Sequence, residues 1–259
     1  MFIDEIRTTG WELEMKYIYE RSKSSYEDFA SGRVLHNAQG TTAFPVRLAS
    51  EIIQRCLRIL EDKGSKGPYS LYDPCCGGAY LLTVIGLLHN EMIHEIFASD
   101  INENILGIAE KNLSLLSAKG LNRRKQQIKA DAQLYNKQSH LSALESAERL
   151  SHRIIGSNVE KAIAFQSDIT NSNDRHKRLH RINIVMTDLP YGDIVTWRSK
   201  SSVPLTDFFE NVHRLLDPSY SVLAVIGDKS QKLKHEKFKR VEQVKIGKRQ
   251  VALFEPIIL

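Results

Sequence analysis

Cysteine is scarce in this 259-residue sequence, and its spacing excludes two kinds of site. Cys56, Cys75 and Cys76 are odd in number and two are adjacent, which suits neither a disulfide framework nor a zinc centre; free thiols and no metal are expected. Long apolar runs are missing as well. None reaches the roughly 18 to 20 residues that a membrane span requires, so no membrane partner is expected. The N-terminal stretch MFIDEIRTTGWELEMKYIY has acids where a secretory leader has a basic start and an apolar run, and a cytoplasmic location is the expectation. Internal repeats and low-complexity tracts are also wanting, which removes solenoids and disordered arms. What remains is a chain that is 42% hydrophobic and 26% charged. Its length suits one large domain with appendages and is short for two joined by a linker. The expected organisation is a single monomeric domain over residues 1–259, with a helical extension over 1–65 and a helical insertion over 119–160.

The net charge of +5 conceals an uneven distribution. Residues 119–181 hold 13 Lys and Arg against 6 Asp and Glu, and residues 229–249 hold nine against two. The two stretches together carry +14, leaving −9 for the rest. A basic face on an acidic body is the footprint of a protein that grips phosphate backbones, and the insertion at 119–160 is the first candidate for RNA contact. A solvated basic helix and hairpin would give the same pattern.

Apolar periodicity divides the chain into elements. Leu13, Tyr17 and Tyr26 among many charges predict a helix over 11–31, and VRLASEIIQRCLRIL predicts an amphipathic one ending at Leu60. SLYD reads as a strand ending at Asp73, AYLLTVIGLLH as a buried helix, EIFAS as a second strand ending at Asp100, and Asn102 as the cap of a helix running to about Ala118. After one or two inserted helices come strands at 162–168, 183–188 and 220–227. FKRVEQVKI and RQVALFEPI flank Gly247-Lys248 as an antiparallel hairpin. Strand and helix alternation implies parallel strands with right-handed crossovers. The expected fold class is therefore α/β: five parallel strands with a terminal antiparallel hairpin and extra helices, a methyltransferase-type sheet more than a dehydrogenase one.

In open parallel sheets, ligands sit outside the carboxyl ends of the strands. The loop DPCCGGA, Asp73 to Ala79, occupies such a place. Gly77 and Gly78 permit a tight turn and a close backbone approach, and the helix start behind them favours a carboxylate such as that of methionine. Asp73 can accept from a ligand's ammonium group, Asp100 from ribose hydroxyls and Asp168 from an adenine amine; Cys75 lies within the loop as a further candidate. Each residue also has a plain reading as a turn glycine or a helix cap. Their joint occurrence at three successive strand ends is what points to S-adenosyl-L-methionine, and the want of Gly-x-Gly-x-x-Gly weakens a nicotinamide reading.

The fourth strand ends in Asp188-Leu189-Pro190-Tyr191-Gly192, which is similar to the Asp/Asn-x-Pro-aromatic motif of methyltransferases acting on nitrogens in planar systems. Methyl transfer needs an oriented nucleophile and removal of its proton as the bond forms. Asp188 can accept that proton, Pro190 stiffens the turn, Tyr191 offers a face to a flipped base, and Gly192 lets the chain leave. Trp197 and Arg198 are candidates for the opposite wall, although a core tryptophan fits there equally well.

With these residues in view, the sequence resembles the avilamycin-resistance rRNA methyltransferase family AviRa from about Arg33 to the C-terminus. The resemblance is carried by RVLHNAQGTTAFPVRLASEI, DPCCGGAYLLTVIGLLH, ASDIN, NLSLLS, TDLPYG and VKIGKRQVALF. It implies a Rossmann-like class I S-adenosylmethionine-dependent fold with added helices, and methylation of a guanine in 23S rRNA. N1 is the implied acceptor; N2 stays open, because similar motifs in tRNA enzymes act there. Where the family pattern is Gly-Ser-Gly, this chain has Gly77-Gly78-Ala79. Alanine fits if position 79 already belongs to the helix. Other readings of the same residues are an N-methyltransferase acting on tRNA, DNA or a protein amide, and a non-catalytic RNA-binding module on a methyltransferase-like scaffold.

Overall fold

The computed structural model describes residues 17–22, 24–37, 43–190 and 199–258. Seven strands form one sheet: β1 (Tyr69–Asp73), β2 (Ile93–Asp100), β3 (Lys161–Gln166), β4 (Ile184–Asp188), β5 (Val222–Asp228), β6 (Phe238–Ile246) and β7 (Arg249–Pro256). Their spatial order is β3-β2-β1-β4-β5-β7-β6. The first five are parallel, and β7 runs antiparallel to both β5 and β6. The expected sheet with its terminal hairpin is therefore present. Strand order reverses between β1 and β4, which opens a crevice at their carboxyl ends.

Side chains alternate across the sheet and feed two cores. Leu71, Ile96, Ile184, Ala224 and Leu253 point to one face, where they pack with α1 (Val46–Asp62), α2 (Tyr80–Leu88), α3 (Glu103–Ser114), α4 (Ala118–Tyr135) and α5 (Gln138–Arg153). Tyr72, Phe97, Val185, Leu223 and Ala252 point to the other, against α6 (Pro204–Leu215). Because both faces are covered, β1, β4 and β5 read as continuous apolar runs. Gly86 lets α2 lie close, since a Cβ there would come within 2.8 Å of Ile96 and Leu116.

Two helix boundaries differ from expectation. The helix predicted over 11–31 is not formed by its described part: residues 17–22 and 24–31 hold only a single 3-10 turn at Glu27–Phe29. The acid-rich spacing suggested an amphipathic helix, but the segment is held in irregular form by distant partners. Glu51 on α1 accepts the backbone N–H groups of Ile18, Tyr19 and Glu20, each at 2.9 Å. Arg55 pairs in turn with Glu51 at 2.7 Å and with Glu242 of β6. Among the described residues of the 1–65 segment, α1 is the only α-helix. The helix expected to reach Ala118 stops at Ser114; the Ser117 hydroxyl then accepts from the Gly120 N–H and starts α4. Asn136, at φ +47°, turns the chain from α4 into α5, a backbone conformation that asparagine tolerates.

Residues 26–37 cross the helical face as a strap. The Tyr80 hydroxyl donates to the Phe29 carbonyl at 2.5 Å, and Arg124 of α4 donates to the carbonyls of Val34 and Arg33 at 2.9 and 3.3 Å. Arg149 of α5 grips Asp28 with two nitrogens. Val34 and Leu35 are fully buried beneath.

Candidate functional site

The crevice where strand order reverses collects the predicted acids. Asp73 ends β1, Asp100 ends β2 and Asp188 ends β4, and Asp168 follows β3. The loop after β1 is built on two of these carboxylates. Asp73 accepts the Cys75 N–H at 3.0 Å. Asp100 accepts the N–H of Gly77 at 2.9 Å and that of Asn102 at 2.9 Å. The Cys76 N–H adds a bond to the Ser99 carbonyl at 2.9 Å, so the loop is clamped to the end of β2. A carboxylate accepts up to about four bonds, so clamping the loop is compatible with Asp100 also accepting ribose hydroxyls.

The loop uses its small residues in an unexpected way. Gly77 takes the left-handed conformation at φ +51°, but Gly78 does not; Ala79 does instead, at φ 54°, ψ 28°. Ala79 is therefore outside α2, at its N-cap, and not the first helical residue that an alanine would suggest. Its own N–H bonds to the Cys76 carbonyl at 2.8 Å, and its carbonyl accepts from Thr83. Asn112, buried on α3, holds the loop from behind: its amide donates to the Gly78 carbonyl at 2.8 Å and the His36 carbonyl at 3.1 Å, and accepts the His36 N–H at 2.7 Å. Sequence reasoning passed over Asn112 and the strap residue it joins to the loop. The signal was a polar residue on the apolar face of a helix.

Electrostatics define what the crevice can hold. Asp73 is 2% exposed. Its carboxyl is raised to about 7, chiefly by burial; the Thr187 hydroxyl and the Cys75 N–H oppose the rise, and the charges of Asp100 and Asp188 add to it. An acid so placed gains from a cation beside it. Both loop thiols are raised well above the usual cysteine range, chiefly by burial and next by the Asp73 and Asp100 charges. They stay protonated, so neither Cys75 nor Cys76 offers a thiolate nucleophile. A cationic ligand matches these carboxylate acceptors; a phosphate does not.

Asp188 stands at the mouth, with an Arg249 nitrogen 3.9 Å from its carboxylate. The same guanidinium lies 5.7 Å over the Phe44 ring. Neither Arg249 nor Phe44 was singled out from the sequence, because Arg249 is brought to Asp188 from β7 and Phe44 to Arg249 from the chain before α1. The Leu189 N–H bonds to the Ile226 carbonyl at 2.9 Å, fixing the turn at the tip of β4. Pro190 is the last described residue there; Tyr191, Gly192, Trp197 and Arg198 lie outside the described residues. The chain is described again at Ser199, whose hydroxyl bonds to Thr170. Thr170 in turn donates to Asp168 from its N–H and hydroxyl, at 2.9 and 2.7 Å. Asp168 thus has an evident turn-forming role, and it ties the exit of the TDLPYG segment to the end of β3.

The family profile of rRNA methyltransferase AviRa matches residues 15–249. The 23S rRNA (guanine(2535)-N(1))-methyltransferase of Streptomyces viridochromogenes is 38% identical over 242 residues, covering 92% of this chain and 94% of that protein. Two solved structures of rRNA methyltransferase AviRa from the same organism, at 2.4 and 1.5 Å, superpose with a TM-score of 0.81. They are 36% and 35% identical, and each match covers 92% of this chain and 96% of that one. With the family profile matching most of the chain and 38% identity extending over 92% of it, the chain belongs to the AviRa family of rRNA methyltransferases.

Proposed function

We propose that the protein methylates N1 of a guanine in 23S rRNA, with S-adenosyl-L-methionine as donor. The observation that carries this reading is the convergence of Asp73, Asp100 and Asp188 on one crevice of the sheet, in a chain 38% identical to an enzyme named for that reaction. The donor supplies an electrophilic methyl group on a sulfonium. Asp73 accepts from its ammonium, directly or through water, and the N–H groups at the start of α2 face its carboxylate. Asp100 accepts from the ribose hydroxyls and Asp168 from the adenine amine, with Gly77, Gly78 and Cys75 giving backbone to the cradle.

Asp188 orients the acceptor. Its carboxylate accepts the N1–H of the guanine and takes that proton as the N–C bond forms and the S–C bond breaks. Arg249, 3.9 Å from this carboxylate, helps to aim it. Pro190 stiffens the turn; Tyr191 and Gly192 stack on and make room for the extruded base, and Trp197 and Arg198 close the pocket. The basic stretches, including α4, hold the RNA backbone, and the protein works as a monomer in the cytoplasm.

The test is transfer of tritium from labelled S-adenosyl-L-methionine to unmodified 23S rRNA, with mass spectrometry to place the methyl. The expected product is N1-methylguanine. Asp188→Ala should lose the label while calorimetric binding of the donor is retained. Label on guanine N2, on tRNA or on protein would refute the assigned acceptor.

A further inference from the structure

The basic run RHKRLHR at 175–181 takes no part in the crevice described above. Its second half, residues 178–181, forms one lip of a cleft of about 650 Å³ at the amino ends of β1 to β4, the edge of the sheet opposite Asp188. Asn183 lines this cleft, and at roughly 3.3 Å per strand residue it lies roughly 17 Å from Asp188. Lys66, Lys161, Arg178 and Arg181 line the cleft with four positive charges, against the carboxylates of Glu95 and Asp217. Phe97 gives it an apolar floor, with the Lys161 ammonium 4.8 Å from the ring centre.

Two groups on the rim are fixed by bonds made beneath them. Arg181 sits in the left-handed region at φ 58°, which costs an L-residue on the order of 1–2 kcal/mol. Its guanidinium is held 2.9 Å from the buried carboxylate of Asp217, yet its side chain is 73% exposed. A guanidinium has five donors, and the carboxylate occupies one side of it. The same Asp217 accepts the N–H groups of Ser219 and Tyr220 at 2.9 and 2.8 Å, and the Asn183 amide donates to the Tyr220 carbonyl at 2.9 Å. Tyr220, 42% exposed, is thereby anchored through both its backbone groups. An aromatic residue on a rigid turn, beside a guanidinium and over a positively charged groove, supplies what single-stranded nucleic acid needs: a face for a base and cations for phosphates. A small anion would need only the cations.

We infer that this cleft is a second RNA-binding site, taking a single-stranded stretch of the substrate with a base stacked on Tyr220 and phosphates against Arg178, Arg181 and Lys161. The inference rests on the reading of the protein as an RNA methyltransferase. Contacts so far from the reacting base contribute equally to ground state and transition state, so they lower KM and leave kcat alone.

The test uses the full chain with Tyr220→Ala and, separately, Arg178→Glu, both at exposed positions. Fluorescence anisotropy with a short labelled single-stranded RNA of mixed sequence reads binding directly. Tyr220→Ala should weaken it at least about fivefold, the lower end for loss of one stacked base. Arg178→Glu should weaken it and flatten its salt dependence. For both, KM for a 23S rRNA transcript should rise with kcat unchanged, and calorimetric affinity for S-adenosyl-L-methionine, which reports on the fold, should stay at the wild-type value. RNA binding and KM unchanged in both variants would overturn the inference. So would competition by inorganic phosphate for the cleft with no effect of either variant on RNA. A wild-type protein that neither binds nor labels RNA overturns the functional reading and this one together, whereas normal labelling and binding by both variants overturns the cleft alone.

Discussion

Ala79 holds a methyl group on a backbone conformation that suits glycine. The left-handed region costs an L-residue about 1–2 kcal/mol, while glycine costs roughly 0.5–1 kcal/mol through the freedom of its unfolded chain. Ala79→Gly is therefore expected to stabilise the protein by about 0.5–1 kcal/mol, read as a higher urea midpoint at constant slope. A drop in the midpoint would mean that packing of the fully buried methyl outweighs the strain. Asp73 makes the second residue-scale prediction. Its folded carboxyl is raised to about 7, above the ordinary value near 3.9, so the folded state binds the extra proton. The stabilisation this gives the ligand-free protein is complete below about pH 4 and is lost as pH rises towards and through 7. A cationic ligand selects the ionised form, so donor affinity should fall as pH drops below about 7, with proton release on binding. Calorimetry at several pH values, in buffers of differing ionisation enthalpy, measures both. Asp73→Asn should abolish the proton release, and a pH-independent affinity in the wild type would remove Asp73 from the ammonium site.

The strap and the cofactor loop show what a local pattern can and cannot reveal about elements. Asn112 joins them with three bonds, and removing its amide leaves buried backbone groups of Gly78 and His36 unmatched. Asn112→Ala should cost about 2–3 kcal/mol and raise hydrogen exchange at residues 34–36 well above the rest of the helical face. Uniform exchange across that face would mean the strap is held by other contacts. The strands were legible because burial on both faces writes unbroken apolar runs, as in SLYD and NIVMTD, and Asp73 and Asp188 were legible because each ends such a run; Asp168, expected to end the third strand, lies two residues past it. The strap was not. Its backbone is held by Asn112 some 76 residues away and by Arg124 some 90 residues away, and no short-range periodicity carries such partners. Ala79 was misplaced for a related reason: alanine reads as helix in any window, and only the turn demanded by the Gly77–Asp100 clamp puts it outside. Arg249 reached Asp188, and Phe44 reached Arg249, by tertiary packing alone.

At the scale of the molecule, the charge pattern in the sequence becomes a geometry. Acids gather at the carboxyl ends of the strands, while basic residues lie on α4, on the run at 175–181 and on the terminal hairpin. Attraction of RNA by such a surface is electrostatic, so affinity for rRNA should fall steeply between about 50 mM and about 200 mM salt. Asp188→Ala should show the same slope, since it removes chemistry and leaves the phosphate contacts in place. A salt-insensitive affinity would contradict the basic surface as the grip. The terminal hairpin carries a further consequence. β6 is the last strand of the sheet among the described residues, and an outermost strand presents a row of backbone groups on which another chain can build. Lys239, Arg240 and Lys245 are exposed along it, and its register shifts between Arg240 and Glu242. Two such edges repel each other and do not match in spacing, so these charges oppose edge-to-edge pairing of two copies. Neutralising these three residues to weaken RNA binding should make the protein associate edge to edge, and the light scattering of such a variant has to be read before its affinity is.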